Sequence, residues 1–375
     1  MKVFIEEIKE YDLEKVYSFA EKVLEYTNFL QNIGTDSDIL IKPNMLAAFK
    51  PEKAVTTHPI ILEAVIRLLQ SKGYTKIRVG DSPGGTTTAE KVWKEAGFLY
   101  LKEKYNIELV NFSKGKITSK KSENFEFPLS QYFFNADAVI NIAKYKTHSL
   151  MSYTGAVKNL YGLIPGLKKS DYHAKAPDPK AFSKVISELY GLVKDKLVIN
   201  FVDGILGMEG EGPSAGIPRK FGVLFASQSA PALDYYASKM MGFKLENLPY
   251  LEHSLRIDNI LPDEIKIDEV WKNKVFPNVQ IKEISAFLKI LAYSPEFIRK
   301  GFRKLFYFYP AFTEDCKKCN VCVDSCPMDV MTLTKDMKTP EIDLSKCIKC
   351  MCCHELCPHN AVFVKKSFLA KYVLK

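Results

Sequence analysis

Cys316, Cys319, Cys322 and Cys326 precede Pro327, and Cys347, Cys350, Cys353 and Cys357 precede Pro358. Both runs share one spacing: two residues, two, three, then Cys-Pro. Thiols so spaced form the bacterial-type ligand run for [4Fe–4S] clusters, in which each run's fourth cysteine ligates the other run's cluster. The expected sets are Cys316, Cys319, Cys322 and Cys357 for the first cluster, and Cys347, Cys350, Cys353 and Cys326 for the second. Disulfides and paired zinc knuckles are the competing uses of cysteine. Zinc takes its four ligands as two separated pairs, with no use for a third evenly spaced cysteine or a trailing Cys-Pro. The ninth cysteine, Cys352, falls inside the second run and reads as a spare thiol. A shift of 31 residues lays the first run on the second and carries Cys326-Pro-Met-Asp-Val-Met onto Cys357-Pro-His-Asn-Ala-Val. Two superposable halves predict a pseudo-symmetric module with its clusters close together.

Outside the cysteines, four polar groups follow apolar stretches. They are Lys42-Pro43-Asn44, Asp81-Ser82-Pro83-Gly84-Gly85, Lys144-Tyr145-Lys146-Thr147-His148, and Asp203-Gly204 leading to Gly207-Met208-Glu209-Gly210. The glycine-hydroxyl loop at 80–88 suits either an anion cradle of backbone N–H groups or a tight turn with a threonine cap. It matches neither common nucleotide fingerprint. Lys144, Lys146 and His148, with Lys158 and Asn159 downstream, read as an anion clamp with His148 as general acid or base, or as a solvated basic loop. Asp203, Glu209 and Glu211 are candidates for a divalent metal or for balancing the lysines. His58 and His173 are more readily structural.

The elements that must position these groups alternate. Residues 2–8 read as a strand. Asp12 caps a helix reaching about residue 29, and residues 38–41 form a short strand. Thr57 is expected to cap the next helix, with Pro59 in its first turn and Gly73 closing it. Strands follow at 76–79, 108–112, 136–142, 197–202 and 221–226. Helices are expected from Thr86, Thr87 or Thr88 to Gly97, from Asp178 to about 194, and from 231 to 241. This alternation predicts an α/β fold, a mostly parallel sheet with helices on both faces, plus a small α+β ferredoxin-like domain at the C-terminus. Ligands of such sheets bind beyond the strands' carboxyl ends, where all four polar groups fall. The expected division is 1–283 for the α/β domain, 284–312 for an amphipathic basic connector, and 313–375 for the cluster domain with its tail.

The chain has 375 residues, a net charge of +9 and no cysteine before Cys316, so it holds no disulfide framework. Cluster thiolates need a reducing compartment. With early acidic residues and no apolar run of membrane-spanning length, the sequence predicts a cytoplasmic protein. Its lysines are scattered rather than gathered in tracts, which argues against nucleic acid.

The cysteine segment resembles a two-cluster ferredoxin. Ile41-Lys42-Pro43-Asn44, Gly80-Asp81-Ser82-Pro83-Gly84-Gly85, Lys146-Thr147-His148, Gly155-Ala156-Val157-Lys158-Asn159-Leu160-Tyr161-Gly162 and Gly207-Met208-Glu209-Gly210-Glu211-Gly212-Pro213 resemble, in order, the motifs of the domain-of-unknown-function family numbered 362. That resemblance implies an iron–sulfur protein with a redox role and supplies no catalytic residues. The expectation is an oxidoreductase in which two [4Fe–4S] clusters exchange electrons with a small anionic substrate or cofactor at the sheet edge, served by a separate electron donor or acceptor protein. Lys146, His148 and Asp81 are its catalytic candidates. Lys42, Asn44, Ser82, Gly84, Gly85, Lys144, Lys158, Asn159, Asp203 and Glu209 are its ligand-binding candidates. The alternatives are an electron-transfer adaptor and a non-redox enzyme whose clusters are structural or sensory.

Overall fold

The computed structural model describes residues 1–29, 33–281 and 308–367. The strands are β1 (Phe4–Glu7), β2 (Ile39–Pro43), β3 (Ile77–Asp81), β4 (Glu108–Asn111), β5 (Ile117–Lys121), β6 (Glu126–Ser130), β7 (Ala138–His148), β8 (Ser152–Thr154), β9 (Leu197–Glu209), β10 (Ile217–Ser227), β11 (Phe308–Phe312), β12 (Met331–Thr332), β13 (Glu341–Ile342) and β14 (Val362–Lys366). The helices are α1 (Leu13–Thr27), α2 (Pro59–Ser71), α3 (Ala89–Glu95), α4 (Leu99–Tyr105), α5 (Gln131–Asn135), α6 (Ala156–Asn159), α7 (Lys168–Lys175), α8 (Pro179–Val193), α9 (Ala230–Met241), α10 (Pro249–Ile257), α11 (Val321–Asp324) and α12 (Cys352–Glu355).

One eight-stranded sheet organises the first 281 residues, in the order β1-β10-β9-β7-β2-β3-β4, with β8 paired to β7. β9, β7, β2, β3 and β4 are parallel, while β10 and β1 add an antiparallel edge. The fold is α/β with a mostly parallel sheet. Alternate side chains of a strand face opposite ways, so Ile39 and Ile41 enter the layer beneath α1–α4 while Leu40 enters the layer beneath α5–α10. Strands covered on both faces read as continuous apolar runs, which is why 39–41 and 138–140 are apolar throughout. In α2, Ile61, Leu62, Val65, Leu68 and Leu69 are all fully buried, each contributing roughly 1.5–3 kcal/mol of burial energy.

Several expectations hold in detail. Asp12 caps α1 by accepting from the backbone N–H of Glu14 and Lys15, Thr88 caps α3, and Asp178 caps α8. Others need correction. His58, not Thr57, caps α2. The Thr57 hydroxyl instead donates to Ile142 O at 2.7 Å and accepts from Asn44 N–H at 2.9 Å, tying the end of β2 to β7. The apolar runs at 136–142 and 197–202 are only the first halves of their strands. β7 continues through His148 and β9 through Glu209, so Lys144, Lys146, Asp203 and Glu209 lie on strands and not in loops. The hairpin of β5 and β6 was not expected: β5 is exposed and polar, whereas β6 buries Phe127 and Leu129 in the core.

Residues 308–367 build the cysteine module. β11 pairs with β14, and β12 with β13, both antiparallel. The same 31-residue shift maps α11 onto α12, β12 onto the start of β14, and β11 onto 339–343, which contains β13. Each antiparallel ribbon therefore joins one strand from either half. Left-handed residues recur in step: Lys318 and Lys349, Asn320 and Met351, Asp329 and Asn360. β14 closes the module by pairing with β11, and Pro310 lies inside β11. The basic connector expected at 284–312, up to residue 307, and the end of the tail beyond 367 lie outside the described residues.

Candidate functional site

Two buried ion pairs anchor the carboxyl edge of the sheet. Lys42 Nζ lies 2.8 Å from Asp81 Oδ1, with both side chains buried. The same carboxylate accepts the N–H groups of Met45 at 3.0 Å and Ser82 at 2.8 Å, so it fixes the loops after β2 and β3. Gly162 crosses directly above this pair: a Cβ there would stand 2.1 Å from Asp81 Oδ1, so only glycine fits. In the second pair Lys144 Nζ lies 2.8 Å from Asp203 Oδ2, and both side chains are wholly buried. Tyr11 OH donates to Asp203 at 3.0 Å and accepts from Lys144 at 2.8 Å, while His58 N–H donates to Asp203 at 3.0 Å. His58 stacks on Tyr11 with ring centroids 3.5 Å apart, and burial pushes its pKa down to about 4.

Between the sheet edge and the cysteine module lies a cavity of about 100 Å³. Eight of the thirteen expected site residues outside the cysteines line it: Asn44, Asp81, Ser82, Gly84, Gly85, Lys146, Lys158 and Asn159. The other five do not. Lys42 is held beneath by Asp81. Lys144 and Asp203 pair with one another, and neither lines the cavity. Glu209 pairs with Arg219 at 2.7 Å. His148 Nδ1 accepts from Leu150 and Met151 N–H and lies 3.5 Å from Glu355. Of the metal candidates Asp203, Glu209 and Glu211, the first two are each paired with a cation, and among the described residues no three His, Cys, Asp or Glu are grouped to hold a metal ion. His173 lines the cavity but stacks on Phe182 at 4.2 Å, and burial pushes its pKa down to about 3.

Lys146 is fully buried and donates to Asn44 Oδ1 at 2.8 Å and Val55 O at 2.9 Å. Burial, reinforced by Lys158 and Lys144, holds its pKa well below the usual lysine value. A buried amide chain continues from it, Asn44 to Asn159 at 3.0 Å, Asn159 to Asn141 at 2.8 Å and Asn141 to Asn200 at 2.9 Å, locking four segments in register. Lys158 rides on α6, whose first N–H groups, those of Ala156 and Val157, donate to Asp234 at 2.7 and 2.9 Å. Among the described residues the Lys158 ammonium has no hydrogen bond or ion pair; its pKa is lowered by burial, against the pull of Glu355 and Cys352.

Sequence reasoning missed Lys169, Cys352 and Glu355. Lys169, on the polar helix α7, donates to Ser82 O, Ser82 Oγ and Pro83 O at 2.8, 2.9 and 2.9 Å. Burial pushes its pKa down to about 7, with Asp81 opposing and Lys42 and Lys158 adding to the shift. An anion bound in the cavity would raise that value, so its affinity would be greatest below the free-state value of about 7 and decline as pH rises through the bound-state value. Titration calorimetry with sulfate, whose charge is constant there, is expected to show proton uptake between about pH 7 and 8 that Lys169→Met abolishes. Equal heats in buffers of different ionisation enthalpy would contradict it.

The opposite wall belongs to the cysteine module. Cys352, Glu355 and Leu356 line the cavity with Ser325, and Ser214 Oγ donates to Glu355 O at 2.5 Å. Leu356 occupies the glycine loop that read as an anion cradle. A Cβ on Gly84 would stand 2.5 Å from Leu356 Cδ2, and one on Gly85, at φ +59°, would stand 2.9 Å from Ser325 Oγ. The glycines make room for the module rather than for a phosphate.

Within the module two further cavities separate the thiols. One is lined by Cys316, Cys319, Cys322 and Cys357, the other by Cys326, Cys347, Cys350 and Cys353 with Cys352 beside them. All nine cysteines are free. Four thiols around an apolar cavity suit a polynuclear cluster, whose ligands stand at its corners and do not converge on one atom. Ala361 N–H, 3.2 Å from Cys357 Sγ, supplies the backbone donor such a thiolate accepts.

Fold and thiols together define an α/β domain joined to an iron–sulfur cluster-binding module. The chain belongs to domain-of-unknown-function family 362 (DUF362), whose sequence model matches residues 39–239. A 4Fe-4S dicluster domain matches residues 315–361. A thylakoid-associated protein of Synechocystis is 31% identical over 249 residues, 66% of this chain and 76% of that one. A dihydromethanopterin reductase (acceptor) of Methanosarcina mazei is 41% identical over 51 residues, and the chain spans only 21% of its length. Among solved structures, the lactate racemase apoprotein of Thermoanaerobacterium thermosaccharolyticum is similar at 12% identity and a TM-score of 0.41, over 64% of this chain and 56% of that one. Among the described residues no helix is long and apolar enough to cross a membrane.

Proposed function

We propose that the chain is an iron–sulfur oxidoreductase that binds a small anionic molecule between its sheet edge and its cluster module. In this reading Cys316, Cys319, Cys322 and Cys357 hold one [4Fe–4S] cluster, and Cys347, Cys350, Cys353 and Cys326 hold the other. Bound there, the clusters supply one-electron carriers, exchanging with a separate donor or acceptor protein. The observation that carries the proposal is the composite cavity: lysines 146, 158 and 169 on one wall, and the loop of the second cysteine run on the other. An adaptor that only relays electrons has no need of a cavity roofed by its own cluster module. The partial likeness to a reductase is consistent with a redox role.

The residues divide the work by their surroundings. Lys158, whose ammonium lies 5.9 Å from the Tyr161 ring centroid and has no hydrogen bond or ion pair among the described residues, takes the ligand's negative charge. Lys146 is the proton-handling group, because burial favours its neutral amine while Asn44 and Val55 fix its direction. Asp81 is a positioning residue, its carboxylate spent on Lys42 and two backbone N–H groups. His148 steadies the Glu355 side of the cavity.

Protein purified without oxygen is expected to hold about eight iron and eight acid-labile sulfide per chain, the content of two cubanes. Chemically reduced protein, screened against small carboxylates and phosphates, is expected to be reoxidised by one of them. Lys158→Met should then weaken that response about 10- to 100-fold at unchanged iron content, the worth of a charged hydrogen bond. Zinc in place of iron sinks the cluster assignment, and an unaltered response in Lys158→Met sinks the anion site.

A further inference from the structure

The two cysteine runs are near copies, so a difference between them at the thiols has to be explained. The residue between the second and third cysteines of the second run that precedes Cys353 is Cys352, and the 31-residue shift places Val321 at the matching point of the first. Val321 is partly exposed, whereas Cys352 is buried at 5% exposure. Cys352 alone among the nine cysteines lines both the thiol cavity of the second run and the cavity at the sheet edge. Its side chain and that of Cys350, one of the four thiols of that set, line the same cavity as near neighbours.

Reducing a cluster adds negative charge to a site its four thiolates already make anionic. A donor aimed at a ligand sulfur stabilises the reduced form and raises the potential. Resting on the cluster assignment above, we propose that Cys352 is a tuning residue: its thiol donates to the Cys350 sulfur and holds the potential of the cavity-side cluster above the value a valine there would give. The effect is confined to one cluster, because the first run has no counterpart donor at Val321. It makes the two halves of a symmetric module electrically unequal, with the raised potential on the side that faces the lysines.

An anaerobic redox titration of the full chain, followed by electron paramagnetic resonance, tests this. Cys352→Val is expected to move one of the two midpoint potentials downward and leave the other in place. Cys352→Ser, which keeps a donor, is expected to lie nearer the unsubstituted chain. Two unmoved midpoints, or two that shift together, overturn the proposal. So does loss of half the iron and sulfide in Cys352→Val, which would make Cys352 a ligand. A chain without iron and sulfide before any substitution overturns the cluster assignment itself.

Discussion

Asp203→Ala is expected to destabilise the α/β domain by about 3–5 kcal/mol, the loss typical of breaking a buried ion pair from one side. The carboxylate is fully buried and answers three donors at once: Lys144 Nζ, Tyr11 OH and His58 N–H. Its removal leaves a buried ammonium with only a phenol oxygen for company. The control is the pair Lys144→Met with Asp203→Asn, which removes both charges while the amide oxygen still accepts from Tyr11 and His58. Exchanging a buried pair for neutral groups of similar size is often close to neutral, so the double variant should recover most of the loss. The chain has two tryptophans, Trp93 and Trp271, and both lie in the α/β domain, so denaturation followed by their fluorescence reads that domain alone. A single Asp203→Ala variant within about 1 kcal/mol of the unsubstituted protein would show that the pair contributes little.

Gly84→Val is expected to separate the cluster module from the sheet edge without emptying it of iron. A Cβ at Gly84 meets Leu356 Cδ2 at 2.5 Å and Leu46 Cδ1 at 3.3 Å, and valine adds two methyl groups to that crowding. Overpacking of this kind costs about 1–3 kcal/mol, a shift of roughly 5- to 150-fold in the docked-to-undocked ratio. Leu356 is the flexible partner, so Leu356→Ala should relieve part of the strain in a Gly84→Ala background and show coupling in a double-mutant cycle. Hydrogen exchange supplies the measurement: protection is expected to fall at residues 352–356 and 82–86 together while cluster content stays constant. Unchanged protection would mean that the loop yields locally and the module stays seated.

The sheet was legible in the sequence because strands covered on both faces advertise themselves as apolar runs, and the cysteine sets because cluster spacing is so restrictive. The strands' far halves were hidden. Lys144 and Lys146 look like a loop because lysine seldom enters a sheet core, and what makes it possible, Asp203 for one and Asn44 with Val55 O for the other, lies 59 to 102 residues away. The placement of Lys42, Asn44, Asp81 and Lys158 near one edge followed from strand polarity alone. Lys169 was invisible because α7 is polar and reads as a solvated helix. Gly84 and Gly85 were read as an anion cradle or a tight turn; the body that comes closest to them is Leu356, and no local pattern links residue 84 to residue 356. Cys352 looked spare because its role depends on what stands on both sides of it.

The strand exchange within the cysteine module bears on how the molecule can be cut. β11 needs β14 and β12 needs β13, so each two-stranded ribbon takes one strand from either half. A gene fragment encoding one cysteine run would supply half of each ribbon and three of the four thiols around its cavity. Trimming, swapping or transplanting this part of the protein is therefore workable only for the 308–367 unit as a whole, and the smallest exchangeable piece is twice the size its internal repeat suggests.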